Sequence, residues 1–280
     1  MSVFPGKGGE TGSAPLRAER PERMSAEGGT VGLAKRDDIA YLELQAPPHN
    51  ILTCRLMGQM SAALDEIAAD STLKAVALTA SGKAFSAGAD VGEHAPERAA
   101  ELIAAFGGLF RRLAALELPV VMAVDGAALG GGFELVMMAD VLLASDRATF
   151  GQPEIRLGFF APVAVVRLPA LVGPARATEI VCSGRTYTAD EMHRYGLVSR
   201  VVPSSELGPA LESTLDDLRR ASPLIMRMNV RMVKRLGGRP FADALPAAEE
   251  VFLRELMATE DVREGIASFF EKRRPQWRNR

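Results

Sequence analysis

Three short apolar runs narrow the fold most: Ala75-Val76-Ala77-Leu78-Thr79, Pro119-Val120-Val121-Met122-Ala123-Val124 and Val141-Leu142-Leu143-Ala144. Each is shorter than a buried helix and rich in residues that suit a strand covered on both faces. Helical spacing fills the intervals. Leu56, Met60, Leu64 and Ile67 share one face of 54–69, a longer helix spans 97–116, and a shorter one covers 133–139. Strands alternating with helices predict βαβ units and a largely parallel sheet under helices. Ahead of them, residues 31–34 and 39–44 flank Arg36-Asp37-Asp38 and read as a hairpin, stopped by Pro47-Pro48. Beyond about residue 174 the pattern is mostly helical, over 189–195, 207–220, 224–236 and 242–270. The sequence shows no internal repeat.

Composition limits the chemistry. With 280 residues, 48% of them apolar, the chain can bury a large core, and a formal net charge of -2 gives no reason to expect nucleic acid or an anionic membrane as partner. Cys54 and Cys182 are far apart, which argues against a disulfide framework or a cysteine zinc site. His49, His94 and His193 have no metal-ligand spacing, so no metal is expected. No apolar stretch approaches the length of a membrane span, and the N-terminus lacks the apolar centre of a secretory signal. The expectation is a cytoplasmic protein. Residues 1–30, rich in Gly, Pro, Arg and Glu, read as a disordered extension, with Met24 an alternative start.

Two strand-to-turn junctions share a pattern. Ser81-Gly82-Lys83-Ala84-Phe85-Ser86-Ala87-Gly88-Ala89-Asp90 follows the first central strand, and Asp125-Gly126-Ala127-Ala128-Leu129-Gly130-Gly131-Gly132-Phe133-Glu134 follows the second. Small residues let a ligand approach the backbone closely, and amides from two loops can converge on one carbonyl oxygen. Either loop alone reads better as a tight turn than as a binding loop. Phosphate binding is the weaker reading, because GxxxxGK[ST] is absent. Glu134 enters a largely apolar helix, and Glu154 lies in Phe150-Gly151-Gln152-Pro153-Glu154-Ile155 with Leu157, Phe159 and Phe160 close by. A carboxyl group in such company has its charged form disfavoured and suits proton transfer near neutrality. A lone glutamate is more often solvated surface charge, and His94 reads as a surface-loop histidine first, with a place near the pocket as the alternative.

Together these motifs resemble the crotonase, or enoyl-CoA hydratase/isomerase, superfamily, from about residue 31 to the C-terminus. Residues 83–90, 126–135 and 150–155 carry the resemblance, supported by 184–189 and 196–198. It implies an α/β, crotonase-like spiral core of ββα units over 31–200, with a helical C-terminal trimerisation region over 201–280. It implies oxyanion-hole amides on Ala89 and Gly131, a catalytic pair at Glu134 and Glu154, and coenzyme A contacts near Ala87, Asp90, Val91 and Gly130. Lys272 resembles a C-terminal lysine that reaches the CoA phosphates in some members. The implied reaction is water addition to an α,β-unsaturated acyl-CoA, with no cofactor beyond the CoA of the substrate and a homotrimer or dimer of trimers as the assembly. Enoyl-CoA isomerisation is the alternative within the fold. An RNA-binding role, known for some relatives, would call for a lysine-rich helix, and 97–118 offers only Arg98, Arg111 and Arg112.

After Glu154 many hydratases continue with glycines. Here Phe159-Phe160-Ala161-Pro162-Val163 is bulkier, which is either plain helix packing or a pocket shaped for a compact or cyclic acyl group. Together with residues 90–97, this segment resembles the cyclohexa-1,5-dienecarbonyl-CoA hydratases.

Overall fold

The computed structural model describes residues 29–280, so the extension read over residues 1–30 lies almost wholly outside the described residues. Strand β1 (Thr30–Arg36) turns at Asp37-Asp38 into β2 (Ile39–Gln45), pairing Arg36 with Ile39 and Thr30 with Gln45. Asp37 takes φ 54, a left-handed conformation that Asp tolerates better than most residues. Helix α1 (Cys54–Ala69) follows, its first turn capped by Thr53, whose side chain accepts from Leu56 N.

The chain then repeats one pattern three times: a long buried strand, a short strand, a helix. The units are β3 (Ala75–Ala80), β4 (Ala84–Ser86) and α2 (Ala99–Ala115); β5 (Val120–Val124), β6 (Ala127–Leu129) and α3 (Gly131–Val136); and β7 (Val141–Ser145), β8 (Thr149–Gly151) and α4 (Pro162–Val172). The long strands join a six-stranded sheet of order β1-β2-β3-β5-β7-β10, parallel apart from the β1/β2 hairpin, with β10 spanning Arg200–Val202. The short strands form a second sheet, β4-β6-β8-β9, whose last strand (Thr186–Thr188) runs antiparallel. Residues 84–86 and 127–129, which read as parts of turns, are strands, and the repeat does not show in the sequence. Three residues are too few for alternation to register, and the units share shape rather than sequence.

Alternate residues of the long strands face opposite layers. Val76, Leu78, Val120, Met122, Val124, Leu142 and Ala144 join the main core with α1, α2 and α3. Ala75, Ala77, Val121, Ala123 and Leu143 face α7 (Leu207–Arg219) through Leu207, Ala210, Leu211 and Leu215. Helices α5 (Pro174–Ser183) and α6 (Ala189–Arg194) complete the core region. The apolar run 242–270, read as one helix, is two: α9 (Phe241–Arg254) and α10 (Glu260–Phe270). Thr259 breaks it, its side chain accepting from Val262 N at 3.2 Å to cap α10. Helix α8 (Pro223–Leu236) is held to the end of α2 by Lys234, whose Nζ donates to Leu113 O and Leu116 O at 3.2 and 2.7 Å.

Candidate active site

Each unit delivers one part of the site just after its short strand. Ala89 lies three residues beyond β4, and Gly131 is the first residue of α3. This start is two residues earlier than the sequence suggested, and it leaves the Gly131 N–H without an intrahelical partner. Among the described residues, the Ala89 N–H also donates to no backbone acceptor. The two approach closely, since a Cβ placed on Gly131 would stand 3.2 Å from Ala89 N.

Glu134, one turn into α3, is 2% exposed. Its Oε1 accepts from Val163 N at 2.7 Å and Ala164 N at 2.9 Å, so the carboxylate caps the start of α4. Pro162 at the first position of that helix needs no partner for a donor it lacks. Burial pushes the Glu134 pKa up to about 7; the charge of Glu154 adds to the rise, while the Ala164 and Val163 amides oppose it. Glu154 stands in a 3₁₀ turn (Pro153–Leu157) after β8, and burial also raises its pKa, against its own backbone amide and the charge of His94. Gln152, 1% exposed, supports it. With the amide nitrogen turned toward the carboxylate, it lies 3.0 and 3.2 Å from the Glu154 oxygens and 3.2 Å from Gly130 O.

The linkage of Glu134 gives a stability prediction. The folded state holds this proton more tightly than the unfolded chain, whose carboxyl titrates near the ordinary 4.5. Native stability is therefore unaffected below about 4.5, falls as pH rises toward 7, and stays reduced above it. Glu134→Gln keeps an oxygen for the two amides and removes the ionisation. The variant should exceed the wild type by about 3 kcal/mol at pH 8, and by little at pH 4.5, in urea unfolding. An equal difference at both pH values would refute the assignment.

Both glutamates open onto one cavity of about 580 Å³, together with Ala89, Gly130 and Gly131. Its walls are apolar, with Leu102, Ile103, Phe106, Leu157, Phe159 and Pro162 among them. Val91 also lines it and is well exposed. Ala87 and Asp90 stand behind the wall: the Ala87 N–H donates to His49 O, and Asp90 caps a 3₁₀ turn (Val91–His94) by accepting from Glu93 N. Lys272 is exposed at the end of α10 and is not brought to the cavity. His94 lines the cavity, the second of its two sequence readings, and is not a surface-loop histidine. The sequence assigns Gln152 no role; its one signal there is an amide between Phe150-Gly151 and Pro153.

Two unpaired amides beside two carboxyls of raised pKa, in one apolar cavity, make an arrangement for proton transfer on a polarised carbonyl compound. The model of the enoyl-CoA hydratase/isomerase family matches residues 34–280, and the chain belongs to that family. It is 39% identical over 252 residues to a probable enoyl-CoA hydratase of Mycobacterium tuberculosis, covering 89% of this chain and 98% of that protein. It is 37% identical over 250 residues to the cyclohexa-1,5-dienecarbonyl-CoA hydratase of Thauera aromatica, covering 89% and 96%. A crystal structure of enoyl-CoA hydratase from Bacillus anthracis superposes with a TM-score of 0.85 at 26% identity, covering 89% of this chain and 99% of that one.

Proposed function

We propose that the chain is an enoyl-CoA hydratase that adds water across the double bond of an α,β-unsaturated acyl-CoA, using no metal or redox cofactor. The observation that carries this reading is the pair Glu134 and Glu154 facing the cavity onto which the Ala89 and Gly131 amides open. The two N–H groups donate to the thioester oxygen and stabilise the charge that gathers there as the enolate forms. Ionised Glu134 takes a proton from water as its oxygen bonds to the β-carbon, and protonated Glu154 gives a proton to the α-carbon. The pair keeps one proton throughout, so the cycle balances. Burial raises the pKa of both carboxyls, which favours holding a proton on the pair; addition starts with it on Glu154 and the reverse loss of water with it on Glu134.

Coenzyme A enters as part of the substrate, along Val91 at the exposed edge of the cavity. The Ala87 and Asp90 N–H groups already donate to His49 O and Leu52 O, so the Ala87 carbonyl is the group left there to contact the adenine and pantetheine. Lys272 would serve a neighbouring subunit's CoA phosphates. The Phe159 and Pro162 wall, together with the likeness to the T. aromatica protein, favours a compact or cyclic acyl group. A panel of crotonyl-CoA, a 3-enoyl-CoA and a cyclic dienoyl-CoA tests the reading. Isomerisation of the 3-enoyl ester with no water addition to any of the three would sink it.

Assembly with further copies is supported by α9, which buries none of its residues, and by exposed Phe241, Leu253, Phe269 and Phe270. Light scattering on the purified chain should give a trimer or hexamer mass; a monomer would refute this. No described helix is long and apolar enough to cross a membrane. The free thiols Cys54 and Cys182 fit a reducing compartment, and we place the enzyme in the cytoplasm.

A further inference from the structure

His94 is the one ionisable side chain of the cavity that the proposed reaction leaves unused. Apart from Glu134 and Glu154, it is also the only polar side chain among the lining residues. It closes the 3₁₀ turn that begins two residues after the Ala89 amide. That turn is fixed at both ends. Asp90 Oδ1 accepts from Glu93 N, and the largely buried Glu93 carboxylate accepts from Cys54 N at 2.8 Å and Arg98 Nη2 at 3.0 Å. The ring is fixed as well. Nδ1 lies 2.8 Å from Asp90 O, and a carbonyl oxygen only accepts, so Nδ1 carries a proton. The ring centroid stands 5.2 Å from that of Phe159, tilted by 46°, which clamps the imidazole against the wall. Nε2 therefore remains as the free hydrogen-bonding atom of a half-buried ring, with no protein partner among the described residues.

Nε2 is not shut off from solvent, and a substrate that displaces water from it leaves the atom unpaired unless it supplies a partner of its own. We propose that His94 is a recognition residue: its Nε2 pairs with a hydroxyl group carried by the acyl portion of the substrate, away from the thioester. A hydroxyl suits this atom better than the alternatives. It donates to Nε2 of the neutral ring and accepts from Nε2–H of the charged one. A carboxylate on the acyl group would share the cavity with Glu134 and Glu154, and like charges at that range repel. The substrate class is then a compact, oxygenated acyl-CoA rather than a purely hydrocarbon one. This inference rests on the acyl-CoA reading of the cavity.

Binding of unreactive aryl thioesters tests it apart from catalysis. Benzoyl-CoA, 3-hydroxybenzoyl-CoA and 4-hydroxybenzoyl-CoA are titrated by calorimetry into the wild type, His94→Phe and His94→Gln. The Phe variant keeps a ring against Phe159 without Nε2, and the Gln variant keeps a hydrogen-bonding end. In the wild type, at least one hydroxylated ester should bind about tenfold more tightly than benzoyl-CoA. That ratio should fall to about one in His94→Phe with benzoyl-CoA affinity held, and return in part in His94→Gln. A wild-type ratio near one for both hydroxylated esters overturns the proposal. So does a ratio unchanged in His94→Phe, or an equal loss of all three esters in that variant. Water addition by the wild type across the crotonyl-, 3-enoyl- and cyclic dienoyl-CoA panel is scored separately: its absence from all three would overturn the hydratase reading, while the binding ratios would still decide the role of His94.

Discussion

Glu134→Gln and Glu154→Gln should each slow water addition to crotonyl-CoA by about a thousandfold, while a saturated acyl-CoA still binds within a few-fold of its wild-type affinity. The split follows from what each substitution removes. At 134 the amide oxygen can still accept from Val163 and Ala164, so the start of α4 keeps its cap and the wall keeps its shape. At 154 the side chain retains its volume beside Gly130 and Gln152. What disappears in both is the capacity to hold or release a proton. Each proton-transfer group contributes about two to four orders of magnitude in comparable sites. Stopped-flow absorbance of the conjugated thioester measures the loss, and calorimetry with butyryl-CoA measures the binding. Near-wild-type turnover by either variant would remove the two-carboxylate mechanism.

Gly130→Ala is the second large effect expected, and it acts without touching a reacting atom. Gly130 adopts φ 54 and ψ -128, a region that residues with a Cβ avoid. An added Cβ would stand 2.7 Å from Glu154 Oε1 and 3.3 Å from its Cδ, so the carboxyl group must move. The backbone strain should lower stability by about 1–3 kcal/mol. Displacement of Glu154 should lower kcat by about a hundredfold more than any loss of folded protein explains. Gly196→Ala separates the two contributions. Gly196 has φ 86 with nothing within 4 Å of the added Cβ, so that variant bears the strain and should keep its turnover. If both alanine variants lose activity in step with stability, contact with Glu154 is not the cause.

The long strands were legible in the sequence because they are buried on both faces. Ala75–Thr79 and Val141–Ala144 are runs of small and branched residues that no surface element would carry. The short strands were not legible. Ala84-Phe85-Ser86 and Thr149-Phe150-Gly151 have three residues each, and only pairing with neighbours of the second sheet makes them strands. The glutamates stood out because charged residues sat amid apolar ones, and both line a cavity with apolar walls. His94 gave a weaker signal, and a place near the pocket is only its second reading. Its flanks, Gly92-Glu93 and Ala95-Pro96-Glu97, are those of a solvent loop, and only the bonds that bend Asp90–His94 into a tight turn bring the ring to the wall. Gln152 was hidden for a related reason: its partner is two residues away, and a bend of the chain at Pro153 joins them.

The second sheet also works as a ruler. Strands β4 and β6 are hydrogen-bonded neighbours in it, and the amides of Ala89 and Gly131 follow them by three and two residues. Neighbouring strands lie about 4.8 Å apart in any sheet, because backbone hydrogen bonds have a fixed length. Two donors at that separation, each about 2.9 Å from one oxygen, subtend roughly 110° at it, close to the angle between the lone pairs of a carbonyl. A sheet spacing is thus the right size for a two-donor hole, and the two loops leave the second sheet from strands set at that spacing.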